Sequence, residues 1–199
     1  MKRQTAYHSI LLLFSFLLVS CITEEEEIPT GSELVVGDKI PSFSVTMNTG
    51  ETISDKDLSG QLSLIVFFNT GCKDCQKELP VIQRFYDTYP EYPLICISRA
   101  ETESSIAKYW KENKLTLPYS AQKDKAIYEK FAYQGIPRIY IVSPEGIILH
   151  IFTDNPLADF ATLVKAVQDT WEQPFNDKNF PCHSSFSKNK DYLCNNGKI

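Results

Sequence analysis

The chain carries only three histidines, two tryptophans and two methionines in 199 residues, and it has no excess of positive charge. His8 stands in the N-terminal leader, His150 in a strand-like run and His183 in a polar tail, so none is placed as a general base by its surroundings. Twenty basic side chains face 25 acidic ones, net −5, which argues against nucleic acid as a partner. No internal repeat is visible, and no apolar run beyond the leader is long enough to cross a membrane. There is one Cys-x-x-Cys and no second, which removes the commonest four-cysteine zinc pattern.

What is present begins with an export signal. Lys2 and Arg3 precede the apolar stretch Ile10 to Val19, which is too short for a stable transmembrane helix. The stretch closes on Leu18-Val19-Ser20-Cys21, which resembles the bacterial lipoprotein signal. Residues 1–20 are therefore expected to be removed and Cys21 to be lipidated, with an ordinary secretory signal as the alternative. Loss of Lys2 and Arg3 leaves 18 basic against 25 acidic side chains and shifts the net charge from −5 to −7. Residues 21–35 contain Glu24 to Glu27, then Pro29 and Gly31, and read as a solvated tether. An acidic run behind the anchor also resembles signals that send some Gram-negative lipoproteins to the cell surface. The expected location is thus a membrane-anchored lipoprotein facing the periplasm, with the outer membrane or cell surface as the variant that the acidic run suggests.

Residues 36–172 carry the order of elements of one compact domain. Ile40 to Val45 and Glu51 to Ile53 flank an Asn48-Thr49-Gly50 turn as a hairpin. Leu62 to Phe68 is a buried strand, and Leu79, Ile82, Phe85, Tyr86 and Tyr89 recur at helical spacing over Lys73 to Tyr89, with Pro80 expected to kink that helix. Pro93 to Ser98 is a second buried strand, followed by a helix near Ser104 to Asn113 and a short extended piece, Leu115 to Tyr119. A further helix is expected over Ala126 to Tyr133. Gly135-Ile136-Pro137 then leads into the strand Arg138 to Val142, Ile147 to Phe152 returns antiparallel at the sheet edge, and Leu157 to Trp171 forms a covering helix.

At the junction of the first buried strand and the first helix stands Gly71-Cys72-Lys73-Asp74-Cys75, two thiols one turn apart. Unpaired backbone N–H groups and the positive end of the helix dipole favour a thiolate at Cys72, and Lys73 adds a cation nearby. Cys75, deeper in the helix, is placed to resolve a mixed disulfide. On spacing alone the pair could also be a static disulfide or half of a zinc site completed by Cys182 and His183.

These features together resemble the TlpA/ResA-like branch of membrane-tethered thiol-disulfide oxidoreductases. The likeness is carried by Ile40-Pro41-Ser42-Phe43, by Phe67-Phe68-Asn69-Thr70-Gly71-Cys72-Lys73-Asp74-Cys75, by Lys77-Glu78-Leu79-Pro80 and by Gly135-Ile136-Pro137. It implies an α/β thioredoxin-like fold: a central mixed sheet with helices on both faces, an N-terminal β-hairpin and a helix-containing central insertion. It also implies a cis peptide at Pro137 lying against the two cysteines, with Ile136 and Pro137 meeting substrate. The implied enzyme exchanges disulfides through Cys72 and Cys75, needs no cofactor or metal, and takes exported proteins as substrates and a membrane or periplasmic dithiol as electron donor. Four positions depart from the pattern. Gly71 replaces the usual tryptophan, Lys73-Asp74 replaces Gly-Pro or Glu-Pro, and Arg138 stands where a small hydroxyl residue often follows the proline. Val66 occupies the strand position where thioredoxin keeps a buried carboxylate. Glu78 is the nearest acid on the helix; a surface charge pair is the role expected for it, with proton transfer to Cys75 in place of that carboxylate as the alternative.

Cys96 lies inside an apolar strand and reads as an inert core thiol. Cys182 and Cys194 fall in the polar tail, residues 173–199, where an oxidising compartment would pair them as a structural disulfide. Two other functions stay open. A thiol peroxidase shares the fold, but its Pro-x-x-x-Thr-x-x-Cys pattern meets Ile65 and Asn69 here. A lipoprotein binding module would use the groove beside Pro137 without turnover.

Overall fold

The computed structural model describes residues 33–172. The expected signal, most of the tether and the tail, with Cys21, Cys182 and Cys194, lie outside the described residues, as does the side chain of Trp171.

A hairpin of β1 (Ser44–Thr46) and β2 (Thr52–Ser54) forms its own antiparallel two-stranded sheet. Gly50 closes it at φ +87°, a conformation that L side chains rarely adopt, and its N–H donates to the Met47 carbonyl at 2.9 Å. The main sheet follows: β3 (Ser63–Phe68), α1 (Lys73–Thr88), β4 (Leu94–Ser98), α2 (Glu103–Asn113), β5 (Tyr119–Ser120), β6 (Arg138–Val142), β7 (Ile148–Phe152) and α3 (Phe160–Glu172). Its strand order is β5-β4-β3-β6-β7. Helical crossovers return the chain to the same end, so β3, β4 and β5 run parallel, while β6 and β7 add antiparallel.

β3 is buried on both sides along its whole length, as its unbroken apolar run requires. Leu64, Val66 and Phe68 face α1 (Cys75, Leu79, Ile82, Phe85), α2 (Ile106, Trp110) and α3 (Leu163, Ala166, Val167). Ile65 and Phe67 face the other way, into a layer of Phe43, Val45 and Met47 from the hairpin region with Tyr128, Phe131, Ala132 and Tyr140. Each such Leu, Ile or Phe contributes about 1.5–3 kcal/mol on burial. α1 runs without a break through Pro80.

One expectation is corrected. The helix expected over Ala126 to Tyr133 is a single 3-10 turn, Tyr128–Lys130. The segment is cut short by Gly135 at φ +83° and by Pro137, and too few residues remain to propagate an α-helix. The layer opposite α1 is consequently closed by this turn and the hairpin. Leu34, two residues ahead of Val36, is buried, and its N–H donates to the Phe131 carbonyl at 3.0 Å.

Candidate active site

β3 delivers Phe68 to the end of the sheet, and Asn69, Thr70 and Gly71 turn the chain into α1. The Asn69 side-chain oxygen accepts from Gly71 N–H at 2.9 Å. A Cβ at residue 71 would lie 3.1 Å from that oxygen, so the asparagine has taken the space a tryptophan side chain would start from. Thr70 is pinned from across the sheet end: both its N–H, at 2.8 Å, and its hydroxyl donate to the Glu101 carboxylate, which also accepts from Ser105 Oγ at 2.9 Å. Gln76 Nε2 donates to the Thr70 carbonyl at 2.7 Å.

Cys72 is the N-cap of α1, with its sulfur accepting from Cys75 N–H at 3.4 Å. It is half-buried, whereas Cys75 is fully buried, and both thiols are free. The Ile136–Pro137 peptide is cis, and the Ile136 carbonyl accepts from Cys72 Sγ at 3.5 Å. The structure therefore brings Cys72, Cys75 and Ile136-Pro137 together although 64 positions separate Cys72 from Ile136. Burial pushes the Cys75 thiol well above the ordinary thiol range, with the neighbouring Cys72 and Glu78 adding to the effect. Such a sulfur stays protonated until a base takes its proton.

Glu78 is not on the surface. It is 2% exposed, and its Oε1 accepts from Ala158 N–H at 2.8 Å while Oε2 has no hydrogen-bond partner. The face of α1 that carries Cys75, Leu79, Ile82 and Phe85 includes residue 78, so the helix that buries the apolar stripe buries the carboxyl with it. Burial raises it to about 7. Val66, fully buried in β3, offers no carboxylate, which leaves Glu78 as the acid beside Cys75.

Cys96 is a fully buried free thiol, pushed up by desolvation alone, as its apolar strand implied. Glu101, Gln76 and Tyr128, whose hydroxyl donates to the Gly135 carbonyl at 2.7 Å, were not singled out from sequence. Glu101 stands just before the α2 cap Thr102 and reads as an ordinary helix-start acid, and no local pattern points across to Thr70. Among the described residues there is no cluster of three His, Cys, Asp or Glu that could hold a metal, and no helix long and apolar enough to cross a membrane.

Residues 36–151 match the model of the AhpC/TSA family. The thiol-disulfide oxidoreductase ResA of Bacillus cereus is 26% identical over 147 residues, covering 73% of this chain and 85% of the relative. The thioredoxin domain of a thiol-disulfide oxidoreductase from Bacteroides vulgatus superposes with a TM-score of 0.58 at 27% identity, over 67% of this chain and 98% of that one. A thiol:disulfide interchange protein from Bacteroides sp. does so with a TM-score of 0.60 at 22% identity, over 72% and 94%. The fold is thioredoxin-like, as the sequence resemblance implied. With more than half of its length matched by the family model, this chain belongs to the AhpC/TSA family.

Proposed function

We propose that this chain reduces disulfides of exported proteins through Cys72 and Cys75. It is a thiol-disulfide oxidoreductase, and the observation that carries the assignment of roles is the contrast between a half-buried Cys72 sulfur beside Ile136 and a sealed Cys75 within reach of it. The Cys72 thiolate attacks one sulfur of the substrate disulfide, forming a mixed disulfide and releasing the other substrate sulfur as a thiolate. Cys75 then gives up its proton and attacks Cys72, which frees the second substrate sulfur and leaves a Cys72–Cys75 disulfide. A dithiol donor returns the two electrons. Glu78, on the same buried face as Cys75 and raised to about 7, is suited to take the Cys75 proton. Ile136 and Pro137 meet the substrate chain.

Replacement of Cys72 by Ala is expected to abolish reduction of a protein disulfide, and Cys75→Ser to accumulate the mixed disulfide with substrate. Full reductase activity in the Cys72 variant would sink this reading. Asn69 and Ile65 stand where a thiol peroxidase carries threonine and proline, so no turnover of hydrogen peroxide is expected beyond that of a free thiol.

The enzyme is further proposed to be a lipoprotein anchored through Cys21 and facing the periplasm, with Cys182 and Cys194 joined in the tail. Fatty-acid labelling that survives Cys21→Ala would remove the anchor from this account. Intact mass before and after reduction checks the tail disulfide.

A further inference from the structure

The segment before Pro137 is held by a buried arginine that the exchange chemistry itself does not require. Arg138 follows Pro137 at the start of β6 and pairs in register with Phe67 of β3, so its side chain lies on the hairpin face of the sheet, away from α1. It is 7% exposed. Its Nε donates to the carbonyls of Gln134 and Gly135, each at 3.1 Å, and its Nη2 donates to Gln134 at 2.8 Å. Nη2 also pairs with Glu33 Oε1 at 2.5 Å, the one ion pair of Arg138 among the described residues. Tyr128 adds a second donor to the Gly135 carbonyl. A Cβ on Gly135 would lie 3.5 Å from Nη2, and its φ of +83° favours glycine, so this residue lets two successive carbonyls turn toward the guanidinium.

Those two carbonyls are thereby occupied, and the next one, of Ile136, is the one that meets Cys72. A planar fork with several donors suits this task; an ammonium would act only as a point charge. Glu33 belongs to the segment leading in from the N-terminus, and the adjoining Leu34 is docked on Phe131 in the same turn region. The guanidinium thus joins the segment leading in from the N-terminus to the segment whose Ile136 carbonyl meets Cys72.

We propose that Arg138, balanced by Glu33, is a positioning residue that sets the Gln134 to Pro137 segment for polypeptide disulfides and makes the N-terminal segment part of substrate recognition. This rests on Cys72 being the attacking sulfur. Arg138 acts through the segment, touching neither Cys72 nor the substrate sulfurs. A small disulfide needs only an accessible sulfur, whereas a polypeptide disulfide must also lay its backbone along Ile136 and Pro137. Loosening the segment therefore weakens recognition of a protein substrate more than of a small one.

The test compares Glu33→Gln, Arg138→Gln and Arg138→Lys in the full chain, with insulin and dithiobis(2-nitrobenzoate) as the two disulfides. Glu33→Gln is expected to raise KM for insulin about three- to tenfold relative to KM for the small disulfide, with Arg138→Gln larger and Arg138→Lys in between. The double variant should be no worse than Arg138→Gln alone, because one interaction is removed in both. If the two substrates shift together, or if neither shifts, the proposal is overturned. Should Arg138→Gln not fold, Glu33→Gln decides alone, since that side chain is about a third exposed. Loss of the reading of Cys72 would show separately, as reductase activity surviving its replacement.

Discussion

Glu78 lies one turn beyond Cys75 on the buried face of α1, where the proposed exchange needs an acceptor for the Cys75 proton. Its carboxyl is raised from 4.5 to about 7, first by burial and then, slightly, by Asp74, against the lowering effect of the Ala158 N–H. Near neutrality it is therefore poised between its two forms, whereas Cys75 is almost wholly protonated and must surrender a proton to attack. Glu78→Gln is expected to slow release of the mixed disulfide about 10- to 100-fold at pH 7 while leaving its formation within about twofold. The wild-type release rate should rise with pH through about 7, since ionised Glu78 is the accepting form, and the variant should lack that inflection. Parallel pH profiles by rapid quench would remove Glu78 from the proton path. Its inward position was half legible. Residue 78 falls on the stripe drawn by Cys75, Leu79, Ile82 and Phe85, so periodicity alone places it inward, but a charged side chain following Lys77 invites the opposite reading.

At the scale of elements, the start of α1 is held from outside by Glu101, just ahead of α2, as well as by Gln76 of α1 itself. Thr70 is buried, and its N–H and hydroxyl have the Glu101 carboxylate as acceptor. Glu101→Ala leaves both without it, at about 1–3 kcal/mol, and should speed amide exchange from Thr70 to Cys75 while β3 stays protected. Unchanged exchange there would mean that Gln76 and Asn69 suffice to hold the turn. The elements themselves were largely legible because their signals are local: an apolar run for β3, helical spacing for α1 and α3, Ser143 to Gly146 between β6 and β7. What escaped was nonlocal or cut short. The 3-10 turn at Tyr128 carries helix-like composition, and only its nearness to Gly135 and Pro137 shortens it. Glu101 reaching Thr70, and Glu33 reaching Arg138, join residues whose spacing in the chain encodes nothing about the meeting. The meeting of Cys72 with Cys75 was legible because it needs only one helical turn, and that of Cys72 with Ile136-Pro137 because the family likeness implied it; their roles are the proposal made above.

For the whole molecule, the same carboxyl links activity to stability. Glu78 has a folded-state value of about 7 against an ordinary value of 4.5, so between those two pH values the native state binds more protons than the unfolded chain. Its contribution is therefore most favourable below about 4.5, declines as pH rises to about 7, and is level above that, a swing of up to roughly 3 kcal/mol. Asp57, lowered by its hydrogen bonds with Ser54, and Asp159, lowered by those with Thr162, act with the opposite sign. Their contribution is present above the ordinary carboxylate value of 3.8 and is lost as pH falls through their lowered values, so the two effects occupy separate windows. The pH that ionises Glu78, as the proposed proton path requires, is thus the pH at which its burial weighs most against the fold, a tension expected where a buried group serves chemistry. Urea unfolding of the reduced protein and of Glu78→Gln at pH 5 and pH 8 separates the contributions, because Asp57 and Asp159 cancel in the difference. The variant should gain stability relative to wild type on going from pH 5 to pH 8. A difference that stays constant would mean that the ionisation of Glu78 is not linked to folding, and it would leave the carboxyl without the raised value that suits it to Cys75.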